Sequence, residues 1–303
     1  MLSRAGQDAH FLLRADYDAV RRNGVSIRSP QGDFHARPHA ARMPEEIGVC
    51  DLVMIALKTT ANSEFPKLLP PLVGPSTAVL TLQNGLGNEE ALARLFPPAQ
   101  ILGGLCFVCL NRIAPGVIQH LDHGLIMLGE FQRWPEPRTH DIASIFKHAG
   151  VVGKVTGNLA RAHWEKLVWN IPFNGLGVAS AAGYEALLSS QPVLPATRQP
   201  CQTTNQLLDG EKWEKLVREL MNEVITAANA LGHTLELALA EKMIERTRTM
   251  GAYKASTILD FERGQPLELE SLFLEPLRQA QAAKVSTPRL AVLCERLRQL
   301  NPT

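Results

Sequence analysis

The residues with the most chemical content are Lys166, Asn170 and Asn174, in the run His163-Trp164-Glu165-Lys166-Leu167-Val168-Trp169-Asn170-Ile171-Pro172-Phe173-Asn174. Positions i, i+4 and i+8 share one face of a helix. A lysine with two amides makes a poor core stripe, because buried amides require hydrogen-bond partners. It makes a good wall for a polar substrate, although an ordinary solvated face also fits the spacing. The chain supplies its own control. Trp213-Glu214-Lys215-Leu216-Val217 repeats the same pentapeptide, but i+4 and i+8 from Lys215 are Glu219 and Glu223, which read as an acidic, solvent-facing stripe. What sets the first copy apart is its asparagines.

Two further clusters carry polar chemistry. Gln83-Asn84-Gly85-Leu86-Gly87 follows an apolar run, and Lys58 ends another. In open α/β sheets the carboxyl ends of strands face the ligand crevice. Asn-Gly is also a plain turn signal, and a lysine there can simply snorkel into solvent. The third cluster runs from Ser256 through Asp260, one helical turn on, to Glu268 after the turn Gly264-Gln265-Pro266. Cys106 and Cys109 form a CxxC, but they sit in an apolar run with no second ligand pair nearby, so buried thiols are expected and no metal site.

The elements that must position these residues fall into two kinds. In the first half, apolar runs at residues 52–57, 77–82, 101–110 and 124–128 read as buried strands of a parallel sheet. Residues 60–72, broken by Pro66, Pro70 and Pro71, read as a crossover helix ending in a proline-rich loop, and residues 25–37 as a small hairpin turning near Gly32. Gly6 reads as a helix C-cap ahead of the short apolar run 10–14. From about Asn158 helical periodicity dominates, at 160–178, 213–231, 235–248 and 287–300. Residues 189–209, rich in Ser, Pro, Thr and Gln, read as an exposed loop or insertion without an assigned function.

Composition excludes several classes. Lys plus Arg (31) nearly balances Asp plus Glu (30), so neither nucleic acid nor an anionic membrane is favoured as a partner. The longest apolar run is too short to span a bilayer, and the first residues fit neither a secretory signal nor a transit peptide. The 5 scattered cysteines suit a reducing cytoplasm.

Together and in chain order, these features resemble the ketopantoate reductases (2-dehydropantoate 2-reductases) over nearly the whole chain. The run around Lys166, Asn170 and Asn174 resembles the helix with that family's catalytic lysine. Ala255-Ser256, with Glu268 twelve positions after the serine, resembles its substrate-binding serine and acid. Asn84-Gly85 and Lys58 match its strand-end asparagine and lysine, and residues 2–14 resemble the end of its first helix and its second strand.

The resemblance implies an α/β Rossmann-like N-terminal domain over residues 1–158, followed by a mainly α-helical substrate-binding and catalytic domain over residues 159–303. It implies reduction of 2-dehydropantoate or a related 2-keto acid with NADPH. Lys166 would be the general acid, and Glu268 would hold a substrate hydroxyl or the lysine in place. Asn170, Asn174 and Ser256 would contact substrate. Asn84 would orient the lysine and the nicotinamide region, Lys58 would serve cofactor binding, and Arg14 would read a 2′-phosphate. A homodimer is the assembly left open. The sequence departs from the family at three points. No GxGxxG occurs in it, so the N-terminal domain is expected to lack its first strand and glycine loop and to bind NADPH weakly or not at all. Pro172 is expected to interrupt the Lys166 helix and kink it. The 189–209 insertion is longer than the family's usual connection. A reductase of another keto acid or imine, or a reductase-derived binding protein without catalysis, remains as the alternative.

Overall fold

The computed structural model describes residues 1–188 and 199–301, and among these the nine β-strands all fall within residues 10–155. The strands are β1 (His10–Leu12), β2 (Val25–Arg28), β3 (Phe34–Ala36), β4 (His39–Ala41), β5 (Leu52–Ile55), β6 (Ala78–Thr81), β7 (Ile101–Ala114), β8 (Val117–Glu130) and β9 (Val152–Val155). Seven of them form one sheet in the order β3-β2-β8-β7-β6-β5, with β9 also on β8, while β1 and β4 form a separate parallel pair. Helices α1 (Tyr17–Asn23), α2 (Phe65–Leu68), α3 (Asn88–Ala93) and α4 (Pro137–His148) accompany them.

The sheet is covered on both faces. On β6, Val79 joins one apolar cluster with Phe65, Leu69 and Leu92, while Leu80 joins another with Ile142 and Phe146 of α4. That alternation is why residues 77–82 carry an unbroken apolar run.

The sheet is mixed, contrary to the all-parallel expectation. β5, β6 and β7 are parallel, but β7 and β8 are antiparallel. Only Pro115 and Gly116 separate them. A two-residue link can close a hairpin, whereas a parallel crossover needs a dozen residues or more. The expected crossover helix is also reduced: Thr59–Glu64 and Pro70–Leu72 are 3₁₀ turns around the four-residue α2. The prolines there cannot donate to a continuous α-helical ladder. The 25–37 hairpin forms as expected from β2 and β3, and Gly6 closes the 3₁₀ turn Ser3–Ala5 in the left-handed conformation.

The rest of the described chain is helical: α5 (Leu159–Ala179), α6 (Thr204–Leu208), α7 (Glu211–Ala230), α8 (Leu239–Arg248), α9 (Ser256–Glu262), α10 (Glu275–Ala282) and α11 (Pro288–Leu300). Chain contacts divide the molecule into two units. The first comprises Met1–Leu57, Ala61–Gln83 and Glu89–Leu159; the second comprises Lys58–Thr60, Asn84–Asn88 and Ala160–Thr303. The first unit is Rossmann-like α/β and the second mainly helical.

Three sequence expectations change in the second unit. Helix α5 runs through Pro172 without a break. The proline removes one ladder bond, but residues 170–179 are buried throughout, and tertiary packing holds the helical path. Glu219 and Glu223 do not form a solvent-facing stripe. Arg289 Nε donates to Glu219 Oε2 at 2.7 Å, and the backbone N–H groups of Arg289 and Leu290 each donate to the Glu223 carboxylate at 2.9 Å. These acids anchor the first turn of α11, whose orphan amides need acceptors. Within the 189–209 stretch, residues 189–198 lie outside the described residues, but Thr204–Leu208 is helical with Leu207 and Leu208 buried. A reciprocal Thr203–Gln206 capping box starts it, a local signal hidden by the polar composition.

Candidate active site

The site assembles within the second unit, from one long helix, two loop segments and the N-terminal turn of α9. On α5, Leu167, Val168, Ile171 and Phe173 point into the helical core. The remaining stripe presents Lys166, Asn170 and Asn174.

Lys166 Nζ donates to Asn84 Oδ1 at 2.7 Å. Asn84 is held by its own neighbours. Asn88 Nδ2 donates to the Asn84 carbonyl at 3.1 Å, and Leu86 N–H donates to the Ser271 carbonyl at 2.9 Å. Gly85 makes that approach possible. Its φ is +86°, and a Cβ there would overlap the Ser271 backbone. The Asn-Gly pair is thus a turn and also the means of bringing an amide to the lysine.

Asn174 turns its carbonyl oxygen toward α9. Thr257 N–H donates to Asn174 Oδ1 at 3.1 Å, and Ser256 Oγ donates to the same oxygen at 3.4 Å. The amide NH₂ of Asn174 is left as the donor end. Gly177, one turn along α5, lets Ile258 of α9 pack closely, since a Cβ there would lie 2.5 Å from Ile258 Cδ1. Asn170 is only 7% exposed, and its amide makes no hydrogen bond among the described residues. Among the described residues the fully buried side-chain polar atom without a partner is Gln202 Oε1, so the Asn170 amide reaches solvent and is open to a ligand.

The acidic end of the site joins Lys58, Asp260 and Glu268. Lys58 Nζ is paired with Asp260 Oδ2, and Glu268 Oε2 lies 3.9 Å away. The Glu268 side chain is 7% exposed, and its Oε1 accepts the Thr59 N–H at 2.8 Å. The lysine held by these acids is Lys58, which follows β5, while Lys166 is held by an amide. One cation therefore sits in an anionic clamp, while the other donates to a neutral amide oxygen. Asp260 entered the sequence reading only as a neighbour of Ser256. Its one-turn spacing from that serine was the available signal, but nothing in the sequence tied it to Lys58, 202 positions away.

Arg14 belongs to the first unit. It is exposed, two residues beyond the carboxyl end of β1, and its guanidinium has no ion pair among the described residues. A free guanidinium at a strand end is a suitable donor set for a phosphate. Cys106 and Cys109 lie on β7 and are not disulfide-bonded; Cys109 is buried as expected, but Cys106 is only half-buried.

Comparison with known proteins places the chain in a family. Residues 1–133 match the family model Ketopantoate reductase PanE/ApbA, and residues 195–301 match its C-terminal counterpart, Ketopantoate reductase PanE/ApbA C terminal. A 2-dehydropantoate 2-reductase of Nostoc sp. is 37% identical, over 99% of this chain and 90% of its own length. The crystal structure of 2-dehydropantoate 2-reductase from Geobacter metallireducens GS-15 is 45% identical with a TM-score of 0.89, covering 98% of this chain and 93% of that one. The enzyme from Methylococcus capsulatus is 31% identical with a TM-score of 0.86, over 99% and 91% of the two chains. Matched from its first strands to its last helix, the chain belongs to the ketopantoate reductase family of oxidoreductases.

Proposed function

We propose that the chain reduces 2-dehydropantoate, or a related 2-keto acid, to the 2-hydroxy acid with NADPH, and that Lys166 is the general acid. The observation that carries this reading is the Lys166–Asn84 hydrogen bond of 2.7 Å on the same helix face as the open amide of Asn170. A bound NADPH supplies the hydride. The chain's own residues do the rest. The ammonium of Lys166, positioned by its bond to Asn84, faces the ketone oxygen, where it stabilises developing negative charge and delivers the proton. Asn170 and the NH₂ of Asn174 donate to the substrate's oxygens, and Ser256, fixed by Asn174, contacts its carboxylate. Glu268 holds the Lys58 segment through the Thr59 amide and offers its second oxygen to a substrate hydroxyl.

The residues that fit the cofactor are Arg14 for the 2′-phosphate, and Lys58 and Asn84 near the nicotinamide; no residue of this chain is assigned to the pyrophosphate. Residues 1–158 are assigned to the dinucleotide and residues 159–303 to substrate and catalysis. The proposal extends to a reducing cytoplasm, which the 5 cysteines outside any disulfide support, and to a homodimer, which sedimentation would test.

Steady-state assays with NADPH and NADH test the cofactor reading. Arg14→Ala should lower the preference for NADPH by about tenfold or more, the worth of a lost charge-assisted hydrogen bond. An unchanged NADPH-to-NADH ratio would remove Arg14 from the phosphate site. No turnover of any 2-keto acid at saturating cofactor would overturn the proposed activity as a whole.

A further inference from the structure

The N-terminal edge of the β1–β4 pair carries a cluster with no place in the reductase chemistry. His10 and His39 are register partners in this parallel pair, so their side chains emerge beside each other on one face. Their rings lie 4.8 Å apart, tilted by 23°. Asp8 precedes His10 by two positions, the extended-chain spacing that returns to the same face, and Ala9 accepts the His39 N–H at 2.9 Å. Asp8 Oδ1 lies 3.1 Å from His10 Nε2 and 3.5 Å from His39 Nε2.

We propose that Asp8, His10 and His39 form a binding site for a borderline divalent cation of the Zn²⁺ type. Two imidazoles and one carboxylate are the donor set such ions favour, with water completing a tetrahedron. Zn²⁺–ligand bonds of about 2.0–2.1 Å require ligand atoms roughly 3.3–3.4 Å apart. Two edges of the triad, at 3.1 and 3.5 Å, already have that length. All three donor atoms lie within 4.8 Å of one another, so the remaining edge closes by a turn of the exposed imidazoles about their side-chain bonds. Without an ion, these contacts are exposed imidazole–carboxylate pairs of little energetic weight. With one, a single bond centre joins two three-residue strands that stand apart from the main sheet. The sequence alone gave no reason to expect a metal site here, because Asp8 and His39 are far apart along the chain.

The site lies at the opposite end of β1 from Arg14, so it can be tested apart from catalysis. Zn²⁺ titration of the whole chain against a chromophoric chelator should give one saturable site, weakened at least about tenfold in His39→Ala and in His10→Ala. His140→Ala, at an exposed histidine on α4, should leave it unchanged. Zn²⁺ should also raise the melting temperature of the parent chain and not that of His39→Ala. No saturable site, or equal affinity in the parent and both β1–β4 variants, would overturn the proposal.

Discussion

At the scale of single residues, the site divides its amides by what they already bond. Asn84 and Asn174 are committed through their carbonyl oxygens, to Lys166 and to α9. Asn170 is committed to nothing among the described residues although it is 93% shielded, the complement of its 7% exposure. A side chain of that kind adds little to the fold and is available to the ligand. Asn170→Ala is therefore expected to leave the unfolding midpoint unchanged or slightly raised, while KM for the keto acid increases by about tenfold, one lost hydrogen bond. A large loss of stability with unchanged KM would make Asn170 structural. The Lys166–Asn170–Asn174 face was legible in the sequence because helical spacing is a local property. The Lys58–Asp260 pair was not, because it joins two distant loops whose approach is set by tertiary packing.

At the scale of elements, the decisive piece is the turn after β6. Gly85 combines a positive φ with direct contact between its backbone and that of Ser271. Any side chain there meets both penalties. Gly85→Ala should destabilise the fold by about 1–3 kcal/mol and displace Asn84 from Lys166, read as a lower melting temperature together with lost turnover. Retention of both would show that the turn can relax without moving the amide. The long helices α5, α7 and α11 were readable from periodicity, and so were the buried cores of β5 through β8. Helix α4 and strand β9 were missed. β9 reads Val-Gly-Lys-Val with no fully buried side chain, so it has no burial pattern to detect. The acidic positions of α7 misled for a related reason. Glu219 and Glu223 look solvated in sequence, yet they cap a helix 66 or more residues away.

At the scale of the whole molecule, the two units have separate cores, and their electrostatics can be probed separately. In the first unit, Asp16 accepts three bonds from Arg112 and one from the Gly116 amide, tying the start of α1 to the β7–β8 hairpin. The Arg112 guanidinium holds the Asp16 carboxyl below the ordinary aspartate range, against an opposing effect of burial. A lowered folded-state value means the contribution is complete above the ordinary aspartate pKa and is lost as pH falls through the lowered one. Asp16→Asn should thus cost about 1 kcal/mol at neutral pH and nothing at the acid end. Parallel denaturation curves for parent and variant at every pH would contradict that linkage.

The central claim concerns one lysine and its double. Lys166 and Lys215 stand in identical pentapeptides, but of the two Lys166 is the one that donates to an asparagine amide and shares its helix face with Asn170. Measuring kcat for 2-dehydropantoate reduction in Lys166→Ala and Lys215→Ala tests the account most directly. A general acid contributes about 10²–10⁴-fold, so Lys166→Ala should lose that much while Lys215→Ala, at an exposed position of α7, keeps the parental rate. Equal kcat in the two variants would contradict it.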